Sequence, residues 1–146
     1  MFPLRKRKER GASQIEFILA IVVLFLVLFG VWELTMIVYT MNVLSDSAKE
    51  GVRFAIVRGG GGVSGVAAPG PQGPTCPCPA IENLVRDYAR YSLHDITGMT
   101  VNVTYPDGNN AAPSRVRVEI TYNFVPYTTL PYTPALHAAA EGRIVY

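Results

Sequence analysis

The stretch FILAIVVLFLVLFGVW, residues 17–32, constrains this chain more than any other. Sixteen residues pass without a charge, and the indole of Trp32 is the one hydrogen-bonding side chain among them. Thirteen are Ile, Leu, Val or Phe. At about −0.3 to −0.6 kcal/mol each on a membrane-insertion scale, they total roughly −4 to −8 kcal/mol. That outweighs the single carboxylates at either end, Glu16 and Glu33. Apolar character continues through Leu34, Met36, Ile37 and Val38, so residues 15–39 are long enough to cross a hydrocarbon core of about 30 Å. A core helix of a water-soluble domain is the competing reading, but no other part of the chain is apolar enough to bury this helix on every side. A cleaved secretory signal requires a small-x-small site after the apolar run. Here the run ends Gly30-Val31-Trp32-Glu33-Leu34, bulky where small residues are needed. The segment therefore reads as a retained transmembrane anchor.

Charge is distributed to match. The chain has 146 residues, of which 49% are hydrophobic and only 16% charged, against about 25% charged in an ordinary soluble domain. Its formal net charge of +2 conceals two opposite parts. Residues 1–10 carry five basic side chains against Glu9, a net +4; the remainder carries eight basic against ten acidic, a net −2. Basic residues crowd the N-terminal flank, and the first one beyond the apolar run is Lys49. The positive-inside rule then predicts a single-pass protein with a cytoplasmic N-terminus. The C-terminal part is expected in the periplasm or outside the cell.

The junction between basic tail and apolar helix is the sharpest local signal. Residues 10–17 read RGASQIEF. Gly11 separates the two regions and Glu16 follows five residues later. This arrangement resembles a type IV prepilin leader, in which a peptidase cuts after the Gly, and the resemblance implies the inner (cytoplasmic) membrane. Each part has a physical reason. A membrane-surface protease needs an unhindered backbone at the scissile bond, and Gly supplies it. Cleavage after Gly11 leaves a free amine on Ala12. Glu16 lies one helical turn further on, within reach of that amine or of its counterpart on a neighbouring subunit. Either partner accounts for an ionisable group at the start of an apolar helix, where an unpaired one is costly.

The resemblance extends past the leader. GASQIEFILA from residue 11 to 20, the Gly30-Val31-Trp32-Glu33 step, and NVLSDSAKEGVR from residue 42 to 53 are similar to the TadE-like family, pseudopilins of tight-adherence (Flp) pilus systems. The matching positions are Gly11, Ile15-Glu16-Phe17, Gly30 with Glu33, Asn42, and Ala48 with Gly51 and Arg53. Val22 stands where the family often has a Pro, so a kink in the membrane helix is not expected. The resemblance implies a minor pseudopilin that assembles or initiates a pilus after leader cleavage at Gly11/Ala12, with Glu16 and Phe17 at the assembly end. It also implies a prepilin peptidase, other pilins or pseudopilins, an assembly platform and membrane lipid as partners. The rival reading is an uncleaved bitopic anchor serving as scaffold or binding module of an envelope or secretion complex.

The rest of the chain reads as an extension and a head. Met41, Leu44, Ala48, Val52 and Ala55 recur at spacings of three and four. The helix is therefore expected to run from Ala12 to about Phe54, transmembrane over 12–39 and amphipathic over 40–58. Residues 59–79 contain seven Gly and five Pro, a composition expected of an irregular loop. Cys76 and Cys78 flank Pro77 there. Outside the cytoplasm a disulfide is one reading; strain in so small a ring leaves intermolecular bridging or free thiols equally open. Pro79 opens a second helix expected to reach about Asp95. Period-two alternation predicts strands at 99–105 and 115–124, joined as a hairpin through Asp107-Gly108. Residues 138–146 form an expected edge strand weakened by Gly142.

The expected architecture is thus α+β and pilin-like. A long N-terminal helix carries a small antiparallel sheet and one further helix, with the head over 80–146. No catalytic set is recognisable: His94 and His137 lack nucleophile and orienting partners. No metal site, cofactor, nucleic-acid partner or small-molecule substrate is expected. The eight Tyr read as core or interface packing.

Overall fold

The computed structural model describes residues 6–58, 75–76, 78–128 and 132–145; for 6–10 and 75–76 it describes the backbone alone. Two compact units result, Met1–Met36 and Ile37–Tyr146.

Helix α1 runs Lys6–Arg58. It contains no Pro in 53 residues, so nothing breaks the backbone ladder. It starts ahead of the expected Ala12 and ends at Arg58, where the amphipathic extension over 40–58 is expected to end. Over residues 22–29 every large apolar side chain is exposed, from Phe29 at 48% to Leu26 at 69%. A helical stretch this apolar with no protein cover needs a non-aqueous surrounding. It is the one described helix long and apolar enough to cross a membrane.

In the second unit, four strands form one antiparallel sheet in the order β1-β2-β3-β4. They are β1 Thr75–Cys76, β2 Met99–Thr104, β3 Arg115–Asn123 and β4 Ala135–Arg143. The β2–β3 hairpin pairs Met99 with Tyr122 and Thr104 with Arg117. Helix α2, Pro79–Arg90, packs against β2. The alternation expected for β2 and β3 is observed: Val101, Val103, Val116, Val118, Ile120 and Tyr122 are buried. Their opposite neighbours Asn102, Arg115, Arg117 and Thr121 are exposed. Ile81, Val85 and Ala89 of α2 and the stripe Leu44, Ala48, Val52, Ala55 of α1 are buried as well. This is the α+β architecture expected from the sequence.

Three boundaries differ. Helix α2 stops at Arg90 rather than near Asp95. The Asp95 carboxylate instead accepts hydrogen bonds from the Thr97 N–H at 2.8 Å and the Thr97 hydroxyl at 2.7 Å, a local turn that competes with helix. Strand β4 covers 135–143, not 138–146, because pairing with β3 extends to Ala135 opposite Asn123. Within the stretch expected to be irregular, Thr75 and Cys76 pair with Thr104 and Val103; residues 59–74 and 77 lie outside the described residues.

Close approach explains two glycines. A Cβ on Gly51 would lie 2.5 Å from Val85 Cγ2, and one on Gly142 would lie 2.5 Å from Ile56 Cδ1 and 2.8 Å from Val52 Cγ1. Helix α1 thus touches α2 at one point and β4 at another, with no room for a side chain at either.

Candidate functional site on the N-terminal helix

Residues 11–20 of α1 are helical and all exposed. Ala12 and Glu16 are four residues apart, one turn, and so share a face. Phe17 beside them is 67% exposed. The Glu16 carboxylate therefore stands on an open helix surface flanked by Ile15 and Phe17. At Gly11 an added Cβ would meet nothing within 4 Å. The fold does not require Gly there, and Gly costs a helix interior about 1 kcal/mol relative to Ala. Gly30 is equally open. Gly51, by contrast, is fixed by packing.

Further along α1 the polar residues divide by face. Leu44, Ser47, Ala48 and Val52 are buried. Ser47 is satisfied by donating to the Val43 carbonyl at 2.7 Å. Asn42, Asp46, Lys49 and Arg53 recur at helical spacing on the exposed face. Lys49 and Asp46 form a 2.9 Å ion pair there, worth little energetically at such exposure. Glu33 is buried.

Cys76 and Cys78 belong to the other unit, not to the helix site. Cys78 is buried, occupies the N-cap position of α2 without a side-chain cap hydrogen bond and is disulfide-bonded; the Cys76 side chain lies outside the described residues. The His94 ring lies tilted at 51° to that of Tyr127 with centroids 4.2 Å apart, and His137 Nδ1 lies 3.2 Å from Thr121 Oγ1. Arg115 and Arg117 sit on the outer sheet face in ion pairs. Arg115 joins Asp107 at 2.9 Å and Glu141 at 3.6 Å, and Arg117 joins Glu119 at 2.6 Å. Asp107 accepts from the Arg115 guanidinium and backbone N–H, which holds its carboxyl below the ordinary range.

The exposed Gly11–Glu16 turn, the open Gly30 and the packed Ala48–Gly51 step lie on one continuous helix. A protein-family model described as TadE-like protein matches across them. Residues 11–53 match the TadE-like protein family. The match begins at the Gly of the leader-like junction and ends at Arg53, entirely on α1. No curated protein and no solved structure matches the chain. Sequence reasoning identified the TadE-like positions but not why Gly51 is small. Its contacts lie 34 and 67 residues away, at Val85 and Val118.

Proposed function

We propose that this chain is a minor pseudopilin of a tight-adherence (Flp) pilus, with a structural rather than a catalytic role. It enters the inner membrane as a bitopic precursor with its N-terminus in the cytoplasm. A prepilin peptidase then cleaves it between Gly11 and Ala12. The mature chain takes part in assembly or initiation of the filament with other pilins and the assembly platform. The carrying observation is the TadE-like match over residues 11–53, which opens on Gly11. An unhindered glycine that the fold does not need supports the cleavage reading. The exposed Glu16, one turn from Ala12, supports its pairing with the new amine, its own or a neighbour's.

The test is the N-terminal sequence of the membrane-extracted protein from cells with an active prepilin peptidase, with and without Gly11→Leu. An N-terminus at Ala12 in the wild type and at Met1 in the variant is expected. Met1 in both overturns the pseudopilin reading and leaves an uncleaved anchored scaffold.

A further inference from the structure

The two edges of the sheet are built differently. Strand β1 is two residues long, and in sequence it lies between Pro74 and Pro77. So short an edge, flanked by Pro, offers little to another strand. Strand β4 is nine residues long and contains no Pro and no Lys. Its register with β3 runs unbroken from Asn123 with Ala135 to Arg115 with Arg143, so no bulge bends it away. Among the described residues no strand pairs with its other side. The hydrogen-bond pattern fixes which groups face that side. The Phe124 N–H donates to the Pro134 carbonyl at 3.0 Å, and the Ile144 N–H donates to the Ser114 carbonyl at 2.9 Å. Both pairs continue the β3–β4 register. Bonded and non-bonded pairs alternate in an antiparallel ladder. Even positions of β4 therefore bond β3, and Ala135, His137, Ala139, Glu141 and Arg143 turn their N–H and C=O groups to the open edge.

The two faces beside this edge differ in chemistry. Leu136, Ala138, Ala140 and Gly142 share the inner face with the buried core, and the last three are half-buried. Their small size leaves room there for bulky apolar side chains of a neighbouring strand. On the outer face a hollow of about 260 Å³ is lined by Arg117, Glu119, Thr121, His137 and Ala139. Its lining offers a hydroxyl, an imidazole and both signs of charge, which suits a polar side chain. A second copy of β4 sets alanine against alanine on the inner face and leaves that room unfilled. The fit is to an extended segment in which bulky apolar and polar residues alternate. In such a complex main-chain hydrogen bonds supply affinity and alternate side chains supply specificity.

We propose that the β4 edge receives an extended segment of a partner protein as a further strand, antiparallel like every other pair in the sheet. Its apolar residues lie on the inner face and its polar residues on the outer face, one of them in the hollow. The residues opposite His137, Ala139 and Glu141 are then the polar ones, and their N–H groups are those that bond β4.

The probe is a short peptide of alternating threonine and valine with a lysine at each end, added to the full chain in detergent. Amide exchange along β4 is followed by NMR. N-methylation of every valine leaves the bonding N–H groups intact, whereas N-methylation of every threonine removes them. The valine-methylated peptide is expected to slow exchange at His137, Ala139 and Glu141, with Ala138 and Ala140 slow throughout. The threonine-methylated peptide is expected to bind about tenfold more weakly or worse. Ala139→Pro removes an N–H that faces away from β3, a position where an edge strand tolerates Pro. It is expected to weaken binding about tenfold with near-ultraviolet dichroism unchanged; if that variant does not fold, the two methylated peptides decide. No slowing at about 1 mM peptide, or equal binding of the two methylated peptides, overturns the proposal. So does slow exchange at Ala139 in the monomeric chain without peptide, since the chain itself then covers the edge. Slowing that follows protein concentration instead of peptide assigns the edge to a second copy and likewise overturns it.

Discussion

Gly51 on α1 and Val85 on α2 meet with no space between them: a methyl on Gly51 would lie 2.5 Å from Val85 Cγ2. Ile81 Cγ2 and Val118 Cγ1 would stand at 3.5 and 3.6 Å from the same methyl. One backbone position on α1 is thus gripped by α2 and β3 together. Ala48 and Ala55, one turn to either side, are also small and buried. This stripe lets the helix backbone approach the head closely.

Gly51→Ala is expected to destabilise the head by about 1–3 kcal/mol, because a β-branched Val has little rotamer freedom to yield. Gly30→Ala, which meets nothing within 4 Å, is expected to leave head stability unchanged. Thermal unfolding of the full chain in detergent, followed by near-ultraviolet dichroism, compares the two. Equal midpoints would show that the contact has room to relax.

Gly142→Ala is expected to cost a similar amount, about 1–3 kcal/mol. Ile56→Val shortens the side chain whose Cδ1 lies 2.5 Å from the added methyl. The double variant is expected to lose less than the two single changes added together. Simple additivity in urea unfolding would place the strain elsewhere.

The Asp107–Arg115 pair gives the hairpin end an acid sensitivity. The Asp107 carboxyl is held below its ordinary value of 3.8, chiefly by its hydrogen bonds with the Arg115 side chain and backbone N–H. A carboxyl depressed in the folded state stabilises fully above the unfolded value, and the contribution disappears as pH falls through the folded one. Asp107→Asn is therefore expected to be less stable than wild type at pH 7, with the gap closing only below pH 3.8. Urea midpoints across that range measure it; a gap constant with pH would detach it from ionisation.

Glu16→Ala is expected to spare leader cleavage and to impair filament assembly. A hydrogen bond to a charged group contributes about 1.5–3 kcal/mol, which is roughly tenfold or more in an assembly equilibrium. Counting pili by electron microscopy beside the precursor-to-mature ratio separates the two steps. Normal piliation would remove the proposed pairing with the Ala12 amine.

Sequence alone determined the elements whose signal is local. An unbroken apolar run without Pro dictated α1, and strict alternation from Met99 to Tyr105 and from Arg115 to Phe124 dictated a hairpin with one buried face. Positions 11, 16, 48, 51 and 53 carried the family resemblance, since a linear pattern is all that a family match needs. Tertiary structure decided what depends on distant partners. Strand β4 reads ALHAAAEGR, poor in β-branched residues, and its bounds were set by register against β3. Gly142, which as sequence only weakens a strand, provides the gap into which Val52 and Ile56 fit. The α2 periodicity ran on past Arg90, but Asp95 committed its carboxylate to Thr97 and turned the chain. The Tyr39 hydroxyl donates to the Ser92 carbonyl, joining residues 53 positions apart. Periodicity encodes which face of an element is apolar; only packing decides what that face meets.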